Sequence, residues 1–282
     1  MRINTNVNSL TANEAAQQVG KNIRGSLEKL GSGLRINKAS DDASGLAIAD
    51  KLRTQATGIK QSMDNATSAS SLIQIADKAM AEQSNILDIV KAKLIQAKTA
   101  TTSDDGRTAI AKDISKLLTQ LDNIAGQTNY NGITLLQLSA SGTGGSTALS
   151  FQVGEKSGNT ISTSSAQSNT VGLGITALAA MSTSATLTTA AAGTQMGLVD
   201  IALTSLNTER SSFGSVQNQL ESSIRNLSTT HTNLKAAESV IRDVDYAAES
   251  ANFNKQNIVA QAGTYAMSQA NSIQQNVLRL LQ

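Results

Sequence analysis

The chain has 282 residues and contains no proline, cysteine or tryptophan. The absence of cysteine excludes disulfides, thiolate metal sites and cysteine nucleophiles. With a single histidine, His231, a multi-histidine metal site is excluded as well. Charged residues make up 16% and the formal net charge is +2, so no nucleic-acid partner is predicted. Aromatic residues make up only 2%, which favours a long helical protein with an aliphatic core over an enzyme.

No motif in the chain predicts a membrane anchor or a catalytic centre. No stretch approaches the ~18 consecutive apolar residues of a membrane-spanning helix, so no membrane insertion is expected. Residues 1–6 lack the pattern of a Sec-type signal peptide. No Ser/His/Asp set, nucleophile elbow or carboxylate pair occurs in a pocket-forming context. We therefore predict no catalytic, cofactor-binding or metal-binding residues, and no cofactor.

The first predicted element is an amphipathic helix, because residues 5–33 carry apolar side chains at steps of three and four. The glycines between positions 31 and 45 are too scattered for a phosphate-binding loop and are interpreted as relaxing the chain before the next helix. Asp41 and Asp42 are interpreted as helix capping and a loop charge pair with Arg35 or Lys38, with a metal site as the alternative.

A seven-residue apolar repeat begins at Ile48 and ends at Ala97, and twelve of its fifteen seam positions are apolar. Such a repeat predicts a helix from about residue 43 to 98 that winds around partner helices. A polar interruption at 103–106 can cap a second helix, whose seam begins at Ile110. Two helices joined by a short loop are expected to lie antiparallel.

The middle of the chain changes character after an exit turn at residues 129–132. Residues 139–195 are rich in Ser, Thr and Gly and carry only two charged residues, which predicts a surface loop. Within this loop, residues 149–153 alternate apolar and polar side chains. Together with turns at 142–145 and 154–158, this alternation predicts a small hairpin.

The seven-residue repeat resumes near Val199 and predicts a helix from about 198 to 245. The fold class is therefore mainly α: an elongated coiled-coil bundle built from the N- and C-terminal halves, with a small β-hairpin region in the middle. His231 lies beside this seam and is interpreted as an exposed histidine, with a pH switch as the alternative. The predicted bundle seam comprises Ile73, Met80, Leu87, Val90, Leu94, Ile114, Leu121, Phe213, Leu220, Leu227 and Leu234.

The C-terminal residues 247–282 predict a further amphipathic helix, whose only partner of similar length is the N-terminal one. A pair of helices buries a single seam, so such terminal segments are expected either to be disordered or to bury their remaining apolar surface in a neighbouring molecule. The residues predicted to mediate this polymerisation are Val19, Ile23, Leu27, Leu30, Leu34, Ile258, Val259, Ala262, Ala266, Ile273, Val277 and Leu280.

Blocks at both ends of the chain resemble bacterial flagellins, over roughly residues 1–137 and 198–282. The blocks are I-N-T-N at 3–6, E-K-L-G-S-G-L-R-I-N at 28–37, D-D-A-S-G at 41–45, G-Q-T-N-Y-N-G at 126–132, D-V-D-Y-A at 243–247, Q-A-G-T at 261–264, Q-A-N at 269–271 and V-L-R-L-L at 277–281. The second block departs from the family's E-(K/R)-L-S-S-G-L-R-I-N pattern at Gly31.

The resemblance implies a structural subunit that is exported through the flagellar type III apparatus and polymerises into the extracellular flagellar filament, serving motility. The implied partners are further copies of the chain in a helical filament, the filament cap and hook-junction proteins, and an export chaperone at the C-terminal helix. Two alternatives stay open. A hook–filament junction protein has similar termini but occurs in few copies, and a secreted coiled-coil adhesin or effector needs no polymerising ends.

The resemblance also implies three regions. Residues 1–42 with 242–282 correspond to a terminal coiled-coil inner-tube domain, and residues 43–138 with 198–241 to a rod-like bundle domain. Residues 139–197 correspond to a short outward-facing region with the hairpin. Because this region is rich in Ser and Thr, an O-glycosylated surface, as in some relatives, is an alternative interpretation of it.

One stretch departs from the pattern of many flagellins, L-Q-R-V-R-E-L-A-V, which an animal innate-immune receptor reads. Ile89 stands where that pattern has arginine and Ala92 where it has glutamate, while Leu87, Lys91 and Leu94 complete the compared positions. An apolar side chain in place of a charged one loses its charge-assisted hydrogen bonds, so we expect weak or absent recognition. The run resembles flagellins of the Helicobacter and Campylobacter type more than enteric ones.

Overall fold

A computed structural model describes residues 6–137, 148–181 and 187–280, which are mainly helical, as predicted. In the N-terminal half, α1 spans Val7–Ser32, α2 spans Ala43–Lys98 and α3 spans Asp104–Gln127. Strand β1 (Asn129–Tyr130) pairs antiparallel with β2 (Ile133–Thr134), and β3 (Ser150–Gln152) pairs antiparallel with β4 (Thr160–Ser162). The short helix α4 (Thr176–Ala179) precedes α5 (Thr189–Arg242) and α6 (Tyr246–Leu280).

The chain divides into two compact units. The first comprises Met1–Ala56 and Thr232–Gln282, and the second comprises Thr57–His231. Helices α2 and α5 contribute residues to both. The predicted division into three regions is a different one and stays a prediction.

The core of the second unit lies where α2, α3 and α5 meet. Arg210 on α5 pairs with Asp77 on α2 at 3.0 Å, and Lys93 on α2 pairs with Asp113 on α3 at 3.0 Å, so α2 is joined by an ion pair to each of the other two helices. Nine residues of the predicted seam lie in this core at 7% exposure or less: Ile73, Met80, Leu87, Val90, Leu94, Ile114, Leu121, Phe213 and Leu220.

The remaining two seam residues differ, because Leu227 and Leu234 on α5 are only half-buried. A helix of 24 residues, α3, cannot accompany the full length of α2 or α5, which have 56 and 54 residues. Where the third helix is missing, the seam loses part of its cover. At the start of the α2 repeat, Ile48 is 50% exposed, and the neighbouring Ala49 is buried.

The sequence located most helix ends correctly and one incorrectly. The helix predicted over residues 43–98 is α2, and Ser103 caps α3 by accepting a hydrogen bond from the Gly106 amide (3.2 Å), as expected. Helix α5, however, begins at Thr189 rather than near 198. Its first turns carry small side chains with no seven-residue repeat, yet the Thr188 hydroxyl accepts from the Ala191 amide (3.2 Å) and starts the helix there.

Both small hairpins fall where the sequence places turns. Asn131 and Gly132 form the two-residue loop between β1 and β2, with φ values of +51° and +81°. Positive φ at both loop positions is typical of a type I′ turn, which asparagine and glycine tolerate. The turn of residues 154–158 joins β3 to β4, whereas the turn predicted at 142–145 lies outside the described residues.

A polar position within the α2 seam attaches the middle of the chain to the bundle. Gln83 is fully buried, and its Nε2 donates to the carbonyl oxygens of Leu121 (3.2 Å) and Ser168 (3.1 Å). Nearby, the Asp122 carboxylate accepts from the backbone amide (2.7 Å) and the hydroxyl (2.9 Å) of Thr170. The residues that precede α4 are therefore held by side chains from two helices.

Candidate assembly surface

The first unit contains an antiparallel pair of helices, α1 and α6, which pack along each other. At one end the Asn6 side-chain amide donates to the Ala270 carbonyl (3.2 Å). At the other end the Val244 amide donates to the Gly33 carbonyl (3.0 Å). The expected pairing of the terminal segments is thus present in a single chain.

The segment that follows α1 and the segment that connects α5 to α6 are joined to each other by hydrogen bonds. The Arg35 backbone amide donates to the Arg242 carbonyl (2.6 Å), and the Arg35 guanidinium donates to the Ile241 carbonyl (2.6 Å). Gly33 ends α1 in the left-handed region at φ +75°. Sequence reasoning missed this junction, because the partners lie more than 200 positions apart and neither segment carries a pairing signal.

The helix pair buries very little. On α1 the single fully buried residue is Ser26, and among the side chains of α6 that the structure describes none is fully buried. Large apolar side chains instead face solvent along both helices, and we call them the terminal apolar surface. Its members, with their exposed fractions, are Val7 (55%), Leu10 (59%), Leu27 (50%), Tyr246 (55%), Ile258 (67%), Val259 (43%), Tyr265 (74%) and Ile273 (55%).

The residues predicted to mediate polymerisation fall into three groups. The α1 residues Val19, Ile23 and Leu30, and Leu34 just beyond the helix, are half-buried. The exposed residues are Leu27, Ile258, Val259, Ala262, Ala266 and Ile273. Val277 and Leu280 lie outside the residues whose side chains the structure describes. Four exposed residues of the terminal apolar surface, Val7, Leu10, Tyr246 and Tyr265, were missed by sequence reasoning.

The two aspartates before α2 act on the backbone. Asp42 accepts from the Gly45 amide at 2.9 Å, which caps α2. Asp41 accepts from the amides of Lys38 and Asn37, and these bonds hold the pKa of its carboxyl below the ordinary value. The Lys38 ammonium group forms its ion pair with Glu28 on α1, at 2.7 Å, and not with either of these aspartates.

The stretch compared with the immune-receptor pattern lies on α2 in the second unit. Leu87 and Leu94 are fully buried, whereas Ile89 is 48% exposed and Ala92 is exposed. Lys91 forms an ion pair with Asp200 on α5. The two substituted positions therefore lie on the accessible face of the helix, and the expectation of weak recognition stays a prediction.

A polar pocket of about 250 Å³ lies between α5 and the residues that precede α4. Ser168 and Glu209 line it, and both Ser168 Oγ and Glu209 Oε2 are buried without a hydrogen-bond partner within the described ranges. Burial raises the pKa of the Glu209 carboxyl above its ordinary value of 4.5, and a hydrogen bond from Ser164 opposes this shift in part.

The raised pKa predicts how stability depends on pH. Because the folded chain binds a proton at Glu209 more tightly than the unfolded chain does, the free energy of unfolding falls as the pH rises from about 4.5 through the raised value. The substitution Glu209→Gln should flatten this slope and stabilise the protein at neutral pH. Denaturant unfolding of dilute monomer at several pH values measures both effects. Glu221→Gln, on an exposed side chain of the same helix, is the control, and equal slopes in the two variants would contradict the prediction.

The parts of the chain that the structure describes contain no group of three or more His, Asp or Glu side chains placed to hold a metal ion. No helix within these ranges is long and apolar enough to cross a bilayer.

Comparison with known proteins decides the family. The description "Bacterial flagellin N-terminal helical region" matches residues 3–141, and "Bacterial flagellin C-terminal helical region" matches residues 196–281. The flagellin of Bacillus subtilis is 38% identical over the full length of both chains. The chain belongs to the bacterial flagellin family. A flagellar filament core protein of Treponema maltophilum is likewise similar, at 34% identity over the full length of both chains.

Other members of the family match in part. Flagellin A of Helicobacter mustelae is 47% identical over 163 residues, which cover 58% of this chain and 31% of that longer protein. The expected likeness to Helicobacter flagellins is thus confirmed over part of the chain. The crystal structure of Bacillus cereus flagellin has a TM-score of 0.50 at 28% identity, covering 62% of this chain and 94% of that one.

A structure from Vibrio parahaemolyticus described as a flagellar hook-associated protein has a TM-score of 0.61. It covers 72% of this chain and 99% of the other, at 13% identity, and so shows a shared fold alone. Members of the flagellin family are structural proteins, in keeping with the prediction that the chain is not an enzyme.

Proposed function

We propose that the chain is the structural subunit of an extracellular flagellar filament, and that it assembles by burying the terminal apolar surface in neighbouring copies. The observation that carries this proposal is the exposure of large apolar residues along α1 and α6 in a chain of the flagellin family. Exposed apolar patches on a folded chain mark interaction sites, because leaving them in water is unfavourable.

The energetics of this surface favour association. Full burial of one Val, Leu or Ile side chain contributes about 1.5–3 kcal/mol, and the terminal apolar surface offers several such side chains per subunit. A subunit whose contact patch differs from the surface it binds forms head-to-tail contacts, and these grow into an open helical filament when the rotation does not close. Repeated along a filament, the same contacts would bury this surface in every subunit.

The regions of the chain would then have different places in the filament. Residues 1–42 with 242–282 would form the inner tube, and residues 43–138 with 198–241 the shell around it. Residues 139–197 would face outward. The filament cap, the hook-junction proteins and an export chaperone bound at the C-terminal helix are the further partners of this proposal, and the chain would leave the cell through the flagellar type III apparatus.

Seeded assembly tests the proposal. Purified full-length chain is added to short filament seeds and followed by electron microscopy, together with variants that lack residues 1–40 or 245–282. We expect long filaments from the full chain and none from either truncated chain, which should stay soluble and helical by circular dichroism. Growth by a truncated chain would show that the terminal helices do not drive assembly.

The same assay separates the alternatives. A hook–filament junction protein would add a few copies to each seed and stop. A secreted adhesin or effector would stay monomeric at every concentration. Either result for the full-length chain would contradict the proposed function.

A further inference from the structure

The loop between β1 and β2 places an asparagine directly before a glycine on an open part of the surface. Asn131 and Gly132 are both exposed, and a Cβ placed on Gly132 would meet no atom within 4 Å. Within the described residues the Asn131 carboxamide has no hydrogen-bond partner, and neither has the Gly132 amide. In the whole sequence this is the one asparagine that glycine follows.

These groups are the reactants of an intramolecular condensation. The Gly132 backbone nitrogen loses its proton to water and attacks Cγ of Asn131, so a C–N bond forms, the bond to the side-chain nitrogen breaks and ammonia leaves. The resulting succinimide ring is hydrolysed by water at either of its two carbonyls, which leaves an aspartyl or an isoaspartyl residue at position 131. Water is the only co-reactant. Glycine favours the attack because it has no side chain to obstruct the nitrogen.

The hairpin offers little resistance to the rotation that brings the nitrogen onto Cγ. Strands β1 and β2 share only two residue pairs, Asn129 with Thr134 and Tyr130 with Ile133. An isolated hairpin of this size is only marginally stable, and the exposed tip of this one can distort while Tyr130 stays packed against the core. We propose that Asn131 is a site of spontaneous deamidation in the folded chain. This inference does not depend on the proposed function.

Two other asparagines in the same stretch are held in place. The Asn129 side-chain amide donates to the Gln127 carbonyl at 2.9 Å. Asn123 lies within α3, near its C-terminal end, where the amide of Ile124 still belongs to the helical backbone. Both are followed by bulky residues, tyrosine and isoleucine. They serve as internal references, because all three asparagines belong to the same chain and undergo the same incubation.

The isoaspartyl product would alter the packing beyond the loop. It lengthens the backbone by one methylene inside a two-residue turn whose conformation depends on both loop residues. The strand that follows leads directly to Leu135 and Leu136, which are 3% and 0% exposed. Either product therefore introduces a charge at the surface, and the isoaspartyl product is also expected to displace the chain that enters the core.

Peptide mapping of aged protein tests the inference. Full-length folded chain is incubated in mildly alkaline buffer, digested with trypsin and analysed by mass spectrometry on the peptide 117–156, which carries all three asparagines. We expect the amide-to-acid mass change at position 131 alone. Isoaspartyl methyltransferase should then label that peptide, because the enzyme methylates only the isoaspartyl linkage.

Two comparisons keep the test sharp. The variant Asn131→Gly removes the carboxamide while glycine keeps the positive φ that the turn requires, so its peptide should show no change. The wild-type chain unfolded in urea supplies the reference rate. If Asn131 stays intact in the folded chain over the time in which the unfolded chain is largely converted, the hairpin protects it and the inference is overturned.

Discussion

The substitution Ile258→Glu should stop filament growth while leaving the fold of the monomer unchanged. Ile258 on α6 is 67% exposed, so a carboxylate at this position stays in water in the isolated chain. In the proposed filament the same position becomes buried, and burying an unpaired charge costs several kcal/mol. Since each 1.4 kcal/mol is a tenfold change in affinity, the monomer concentration required for growth should rise by about 100-fold or more.

A matched variant separates this effect from the charge itself. Gln261→Glu introduces the same residue at an exposed position of α6 that is already polar, and it should elongate seeds nearly as well as the wild type. Light scattering against monomer concentration measures growth, and circular dichroism checks the helix content of both variants. Equal critical concentrations for the two variants would show that Ile258 takes no part in the subunit contact.

The substitution Leu94→Ala should destabilise the second unit by about 2–5 kcal/mol, because it leaves a cavity in a packed core. Leu94 is fully buried in the cluster that α2 forms with α3 and α5. Denaturant unfolding of dilute monomer measures the loss. A cost at the upper end of the range would indicate that the surrounding side chains do not relax into the space.

The adjacent residue provides the control. Ile95 is 50% exposed on the same helix, and alanine has a better helix propensity than isoleucine, which offsets part of the lost burial. Ile95→Ala should therefore cost less than about 1 kcal/mol. A cost for Ile95→Ala equal to that of Leu94→Ala would contradict the assignment of the core to the predicted seam.

How well the sequence predicted each helix depended on whether the repeat itself carried the signal. The limits of α2 followed from a seam that runs almost its whole length. The start of α5 was placed too late, because its first turns from Thr189 consist mainly of small residues, which do not form a recognisable apolar repeat. Leu227 and Leu234 keep the repeat but lose full burial, since burial depends on how many helices surround the seam.

The polar positions of the seams were harder to interpret. Gln83 interrupts an apolar repeat, and sequence reasoning had no partner for it, yet its amide binds carbonyls from α3 and from the chain that precedes α4. Glu209 interrupts the α5 repeat in the same way and lines a pocket. In both cases the surrounding residues come from a distant part of the chain. The repeat therefore shows that a polar residue occupies a seam position but does not show what that residue contacts.

The sequence by itself determined the helical class, the long seams and the amphipathic ends, because an apolar period is a local property that survives without any partner. It also carried the family resemblance that full-length relatives confirmed. Only the tertiary structure decided which apolar residues remain in water. Ile258 and Leu94 are both large aliphatic residues on predicted helices, and one is exposed and the other buried because three helices meet around Leu94 and only two pair beside Ile258.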